Sequence, residues 1–195
     1  LAGAKVDFVD NWDPQVETIK QQGGVYVSRD HENRRLVPIN IYSPEEYDGD
    51  PDVLIVFAKQ MTLSDLLQRS AHFFHPDHQY VFSGMNGMGH IEKINHYFPK
   101  EHVVAGTCLI GTVFNKAGDV DFIGKSGAGS INLAPQVSEP DERVKQIVED
   151  FTTANINPHL NDNFYGTLLT KVVFPLERMQ ISRIYSLFFS RSRQD

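Results

Sequence analysis

Four polar residues stand where a folded sheet could present them to a ligand. Asp10 closes the apolar stretch KVDFVD, with Asn11 beside it, and a carboxylate at a strand end can accept hydrogen bonds from ribose hydroxyls. Lys59 directly follows the buried-looking run DVLIVFA, a place that offers a cation to a phosphate or an oxyanion. Asn86 sits in Gly84-Met-Asn-Gly-Met-Gly89. Glycines there let a backbone approach a ligand closely, and the amide supplies both a donor and an acceptor. Lys171 lies among Leu168, Leu169, Val172 and Val173, where apolar neighbours favour a proton-donating lysine near neutral pH. Each has a purely structural alternative. Asp10 is also a polar residue at a helix start, Lys59 a rim cation with a snorkelling stem, Asn86 a turn former and Lys171 an edge cation.

Other stretches resemble sites without meeting their requirements. The histidines of HFFHPDH (His72, His75, His78) lack catalytic zinc spacing, and Pro76 breaks any helix that would align them, so no metal is expected. GKSGAGS lacks the first glycine of a phosphate loop, because Gly118 stands one residue too far from Gly124. Cys108 lies in an apolar strand and reads as a packed thiol.

The elements that must position these residues follow from patterning. Lys5 to Asp10 reads as a strand. Asp13-Pro14 opens a helix with Asp13 as its cap, Val16 and Ile19 on its inner face, and Gly23-Gly24 as its stop. Val25 to Val27 and Leu36 to Ile41 read as strands around the charged turn Asp30 to Arg35. Asp52 to Phe57 has the continuous apolar look of a strand buried on both faces. Helix Thr62 to Phe74, strand Tyr80 to Phe82 and helix Ile91 to Tyr97 follow. After Pro99 come short strands expected to form antiparallel hairpins, then helices near Ser138 and Asp162. Strands alternating with helices imply an α/β fold with a parallel sheet, whose ligands bind beyond the C-terminal strand ends.

The 195 residues are 41% hydrophobic and 22% charged, which is globular, and the net charge of −7 argues against a nucleic-acid partner. No apolar run approaches the ~18 residues of a membrane helix. The single cysteine fits a reducing, cytoplasmic setting. Leu1 in place of Met is read as a sign that the front of a longer protein is missing.

The stretches KVDFVDNW, DVLIVFAKQ, VFSGMNGMGHIEKI, GTCLIGTVFNKAGDVDFIGKSG and LLTKVVF, in this order, resemble the ketopantoate reductase (2-dehydropantoate 2-reductase) family over about Leu1 to Phe174. The resemblance implies a Rossmann-like parallel sheet lacking its first strand, followed by the antiparallel hairpins, over residues 1–160, and the start of a helical domain over 161–195 that diverges from the family after about residue 174. It implies NADP or NAD as cofactor, a small 2-oxo acid as substrate, and reduction of ketopantoate to pantoate in pantothenate biosynthesis. By position Lys59, Asp10, Asn11 and Thr112 would contact the cofactor. Asn86 would meet cofactor and substrate, and Lys171 would be the general acid. A homodimer is a further candidate assembly.

This chain also departs from the family. The glycine fingerprint would lie before Leu1, and Pro175 and Met179 stand where the family carries asparagines. From Lys171 onward five basic and two acidic residues give a net +3. That tail reads as a frameshifted or truncated reading frame, and the chain as given is expected to be inactive and to bind nucleotide weakly. The alternatives are a D-2-hydroxyacid dehydrogenase of the same fold, or a non-catalytic remnant or interaction domain.

Overall fold

The computed structural model describes residues 4–125, 129–137, 139–173 and 186–190. Strand β1 (Lys5–Val9) leads into α1 (Asp13–Gln22), followed by β2 (Val25–Arg29), β3 (Glu32–Val37) and β4 (Asn40–Tyr42). Next come β5 (Val53–Val56), α2 (Gln60–Ser70), β6 (Tyr80–Ser83), α3 (His90–Ile94) and β7 (Val103–Leu109). The remainder is β8 (Gly111–Lys116), β9 (Asp119–Ile123), β10 (Ser130–Pro135), α4 (Glu142–Thr153), β11 (Pro158–Leu160), α5 (Phe164–Val173) and β12 (Ser186–Ser190).

The main sheet has eight strands in the order β11-β10-β7-β6-β5-β12-β1-β4. Strands β5, β6 and β7 run parallel, as do β1 and β4. Its central strands β5 and β6 are buried along their whole length because both faces of the sheet are covered there. Leu54 and Val56 of β5 join Leu63 and Leu67 of α2, Ile91 and Ile94 of α3, and Phe164 and Leu168 of α5 in one core cluster. Val53 and Ile55 face the other way, into a cluster with Val144, Ile147 and Phe151 of α4.

A second sheet, β3-β2-β9-β8, stands beside it. Helix α1 ties this sheet to the first. Gln15 Oε1 accepts from Gly118 N at 3.0 Å, and Gln22 Nε2 donates to Gly118 O at 2.8 Å, so α1 grips the β8–β9 turn. Gly118 needs its φ of +68°, and a Cβ there would meet Gln22 Nε2 at 2.1 Å.

Several sequence expectations require correction. Asp13 is the first helical residue, and Trp12 is the N-cap. The side chain that serves the turn is Asp10, whose Oδ1 accepts from Trp12 N at 2.9 Å. The charged turn narrows to Asp30 and His31, both at positive φ, and Glu32 to Arg35 belong to β3. The expected strand Leu36 to Ile41 is divided between the two sheets at Pro38-Ile39. The strands after Pro99 form one local antiparallel hairpin, β8–β9. By contrast, β7 joins β6 in parallel and pairs antiparallel with the distant β10. Ser186–Ser190, in the tail expected to begin a helical part, is a strand inside the main sheet.

Candidate functional site

Parallel strands deliver their C-terminal ends to one edge. Asp10 follows β1, Lys59 lies beyond β5 as the N-cap of α2, and the loop Gly84 to Gly89 follows β6. The structure therefore brings Asp10, Lys59 and Asn86 to the same sheet edge, as the alternation of elements required. Asp10 and Asn86 are half-buried, and Lys59 is exposed.

Each loop has a local reason for its shape. Thr62 N and Leu63 N both donate to Lys59 O at 3.0 Å, which starts α2 directly after the strand. In the glycine loop, Gly87 and Gly89 take φ values of +88° and +89°, a region closed to most side chains. Met85 is buried in the core cluster shared with α5, which anchors the front of the loop.

Gln60 is the residue that sequence reasoning missed. Its Nε2 donates to Met88 O at 2.6 Å and lies 3.4 Å from His90 Nδ1. Lys93 Nζ in turn donates to Gln60 O at 3.1 Å. The first residue of α2, the glycine loop and α3 are thus one connected unit, with Lys59 next in sequence to it. Its only sequence signal was adjacency to Lys59. On the other side, Asn11 Nδ2 reaches Asp65 Oδ2 of α2 at 3.4 Å.

Thr112 lies on β8 of the second sheet, half-buried. Phe114, two residues on and so on the same face, meets the Trp12 ring at 6.0 Å between centroids. Thr112 therefore shares a strand face with a residue touching the turn after Asp10. Lys171 is in α5, one turn beyond the buried Leu168, and its side chain lies outside the described residues.

The other chemically suggestive stretches serve the fold. His78 Nε2 is 2.8 Å from Asp50 Oδ1, and its ring stacks on His75. The Asp50 bond raises the His78 pKa. Cys108 packs, half-buried, against the cluster around Phe82. Gly124 turns at φ +88°, and Ser126 to Ala128 lie outside the described residues. A cleft of about 450 Å³ lies elsewhere, between the sheets, lined by Arg29, Leu109, Ile110, Ile123 and Lys125 among others. No helix among the described residues is long and apolar enough to cross a membrane.

Comparison with known proteins bears on the family and the fold. The family model for ketopantoate reductase PanE/ApbA matches residues 1–136. A 2-dehydropantoate 2-reductase of Streptococcus pyogenes serotype M1 is 27% identical over 166 residues, covering 85% of this chain and 52% of that protein. One of Lactococcus lactis subsp. lactis (strain IL1403) is 24% identical over 169 residues, covering 87% and 53%. The chain thus spans about half the length of the curated relatives it matches. Among solved structures, D-mandelate dehydrogenase in its ternary structure with NADH and anilino(oxo)acetate is similar with a TM-score of 0.74 at 22% identity, over 82% of this chain and 50% of that one. The 2-dehydropantoate 2-reductase of Geobacter metallireducens GS-15 gives 0.68 at 19%, over 78% and 49%. At such identities the structural likeness establishes the fold. The family match extends over more than half of the sequence, and the chain belongs to the ketopantoate reductase PanE/ApbA family.

Proposed function

We propose that this chain is the nicotinamide-binding part of an oxidoreductase that reduces ketopantoate, a small 2-oxo acid, to pantoate with NADPH or NADH. The carrying observation is that Asp10, Lys59 and Asn86 share one sheet edge in a chain matched by the family over residues 1–136. Residues 1–160 would form the nucleotide-binding unit, and α5 would begin the part that completes the substrate site. A cytoplasmic setting accords with the lone thiol.

The residues suit such a cofactor. A Cβ at Gly89 would meet nothing within 4 Å, and one at Gly87 only the Gln60 amide at 3.8 Å, so the space over the loop backbone is open to a ligand. Lys59, an exposed cation at the start of α2, would pair with a phosphate. Asn86 would orient a neighbouring polar group by donating and accepting at once. When bound, the nicotinamide supplies the hydride. Lys171 would hold the proton destined for the 2-oxo oxygen and stabilise the negative charge developing there.

A nuclear magnetic resonance titration with millimolar NADPH and NADH tests the cofactor site even at weak affinity. Shifts centred on Asp10, Lys59 and Gly84 to Gly89 are expected, and shifts elsewhere or none would overturn the reading. A panel of 2-oxo acids, assayed with a form extended to the relatives' length, tests the substrate. Preference for an aryl 2-oxo acid would favour the second reading, a D-2-hydroxyacid dehydrogenase, which the likeness to D-mandelate dehydrogenase supports at the level of fold. In that extended form Lys171→Ala should lower kcat by about 10²–10⁴-fold, and unchanged turnover would remove Lys171 from the proton path.

A further inference from the structure

The connection from β4 to β5 runs from the crevice edge of the main sheet to its opposite pole, because the two strands point the same way. It carries five carboxylates in the eight residues from Glu45 to Asp52. Its first half is held by cations that keep their charge throughout the neutral range. Arg69 of α2 donates to both Glu45 oxygens, at 2.6 and 2.9 Å, and Lys20 of α1 donates to Glu46 at 2.6 Å. Its second half is held by two histidines.

His72 Nε2 lies 2.9 Å from the Tyr47 carbonyl oxygen, and its Nδ1 lies 3.1 Å from the Arg69 carbonyl oxygen. His78 Nε2 lies 2.8 Å from Asp50 Oδ1, and its Nδ1 lies 3.3 Å from Asp77 Oδ1. In each ring both nitrogens therefore face an oxygen that, as a carbonyl or an ionised carboxylate, can only accept. A neutral imidazole donates from one nitrogen and keeps a lone pair on the other. All four contacts are hydrogen bonds at once only when both rings carry two protons. A metal does not replace those protons, since no group of three or more ligating side chains among the described residues is arranged to hold one.

We infer that His72 and His78 form a proton-operated clasp: doubly protonated, they hold residues 47–50 against α2 and the turn before β6, and losing a proton loosens that half of the connection. A ring that loses one proton turns a lone pair toward an oxygen. Its remaining bond falls from charge-assisted to neutral, about half as strong. The mobile part is Asp48-Gly49-Asp50. Tyr47 is 3% exposed, with its ring edge-on to Tyr42 and Phe73, and acts as the fixed end. Gly49 lets the chain turn closely over that ring, because a Cβ there would collide with the Tyr47 hydroxyl.

The surrounding charges set the direction of the response. His78 faces Asp50 across the gap and Asp77 in its own turn, and the His75 ring stacks on it at 5.5 Å. Gln79, fully buried, also donates to Asp50 Oδ1 at 3.1 Å and does not titrate, so it fixes the carboxylate as the landing point. Around His72 stand Arg69 on α2 and Glu45 on the connection, already paired with each other, and Asp65, which Arg69 also reaches at 3.4 Å. The Asp50 bond raises the His78 pKa above its ordinary 6.5, against a smaller desolvation cost, and the Asp77 bond adds to the rise. With a raised folded value, the hold is complete below about pH 6.5 and is lost as pH rises through the folded value. The pole lies opposite the crevice, and nothing in the clasp depends on what the crevice binds.

Nuclear magnetic resonance on the full chain at about pH 5.5 and about pH 8.5, a window in which histidine is the side chain that ordinarily titrates, tests the clasp. Carbon-detected relaxation should give order parameters of about 0.85 at Asp48, Gly49 and Asp50 at the lower pH, falling below about 0.6 at the higher. Val53–Val56 should stay rigid at both. The His78 ring should titrate above 6.5. His72→Gln with His78→Gln supplies amide donors that do not titrate, so the order of residues 48–50 should become independent of pH. His75→Gln should leave the pH dependence in place. Equal order at both pH values in the unsubstituted chain would overturn the inference. So would a pH dependence that survives the double substitution, one that His75→Gln abolishes, or a His78 midpoint at or below 6.5.

Discussion

The Gln60 side chain holds the Met88 carbonyl: Nε2 to O is 2.6 Å, a bond from the first residue of α2, after β5, to the loop after the neighbouring parallel strand β6. It is partly solvent-facing, so removing it should cost about 0.5–1.5 kcal/mol. Gln60→Ala should therefore lower the melting temperature by only about 1–6 °C. Its larger effect should be local, as faster amide exchange across Gly84 to Gly89. Gln60→Glu should loosen the loop further, because a carboxylate would face the Met88 carbonyl. Unchanged exchange in both variants would mean that the loop is held by Met85 and its φ-positive glycines without Gln60.

Two glycines should separate close packing from backbone conformation. A Cβ at Gly106 would stand 2.1 Å from Phe82 Cε2 and 2.7 Å from the Asn132 carbonyl oxygen, and Phe82 is fully buried. Gly106→Ala should destabilise by about 1–3 kcal/mol, the range for overpacked cores. Gly89 has open space around it but a φ of +89°. Gly89→Ala should act through backbone strain, of order 1 kcal/mol or somewhat more. Urea denaturation of both variants, with no loss at Gly106, would contradict the packing argument.

How much was legible follows from what each segment buries. DVLIVF was readable as a strand because Leu54 and Val56 enter one core while Val53 and Ile55 enter the other. The turn after α1 was readable because Gly23 is the left-handed residue that ends it. By contrast, β3 (ENRRLV) is largely exposed, and no hydrophobic period marks it. It is held by long-range polar contacts. Arg34 bonds Asp119 at 2.9 Å and lies 3.6 Å over the Tyr26 ring. Such pairings join residues far apart in sequence, and local pattern cannot assign them. The edge carrying Asp10, Lys59 and Asn86 was legible because topology alone puts parallel strand ends together. Gln60 was not, because its role depends on a rotamer reaching another loop. Strand β12 was not read from the sequence at all, because SLFFS lay in the stretch assigned to the start of a helical part, and so short an apolar run names neither its neighbours nor its direction.

Acid should reach the Ser43–Glu46 turn late. Lys20 Nζ donates to Glu46 Oε2 at 2.6 Å, and Ser43 N donates to the same oxygen at 3.0 Å. The lysine bond, then the Ser43 amide and hydroxyl, hold the Glu46 carboxyl at about 2, well below its ordinary value near 4.5. A depressed folded pKa gives stability that is present in full above the unfolded value. That stability is lost as pH falls from about 4.5 through about 2. The pair is largely exposed, so salt should weaken it. A carboxyl-carbon titration should place the Glu46 midpoint near 2, and Lys20→Met should move it upward. A wild-type midpoint near the ordinary value would contradict the assignment.

Cofactor choice should turn on Asp10. A carboxylate at the end of β1 would accept bonds from the adenosine ribose hydroxyls but repel a 2′-phosphate. Asn11, beside it, brings no compensating positive charge and reaches towards Asp65. Two like charges about 5 Å apart at an effective dielectric near 20 interact by about 3 kcal/mol before screening. Salt and partial exposure reduce this, leaving a bias of about tenfold, or ~1.4 kcal/mol. The domain should therefore bind NADH more tightly than NADPH at low ionic strength, and the difference should shrink as salt rises. Asp10→Ser keeps an acceptor for Trp12 N, whose bond to the Asp10 carboxylate shapes the turn, and removes the charge. The variant should thus gain NADPH affinity while its NADH affinity falls through the lost ribose contact. Chemical-shift titrations of wild type and variant, each with both nucleotides at two salt concentrations, give the four affinities and their salt slopes. A selectivity ratio unaltered by Asp10→Ser would show that another group reads the ribose, and a salt-independent ratio would show that the discrimination is not electrostatic.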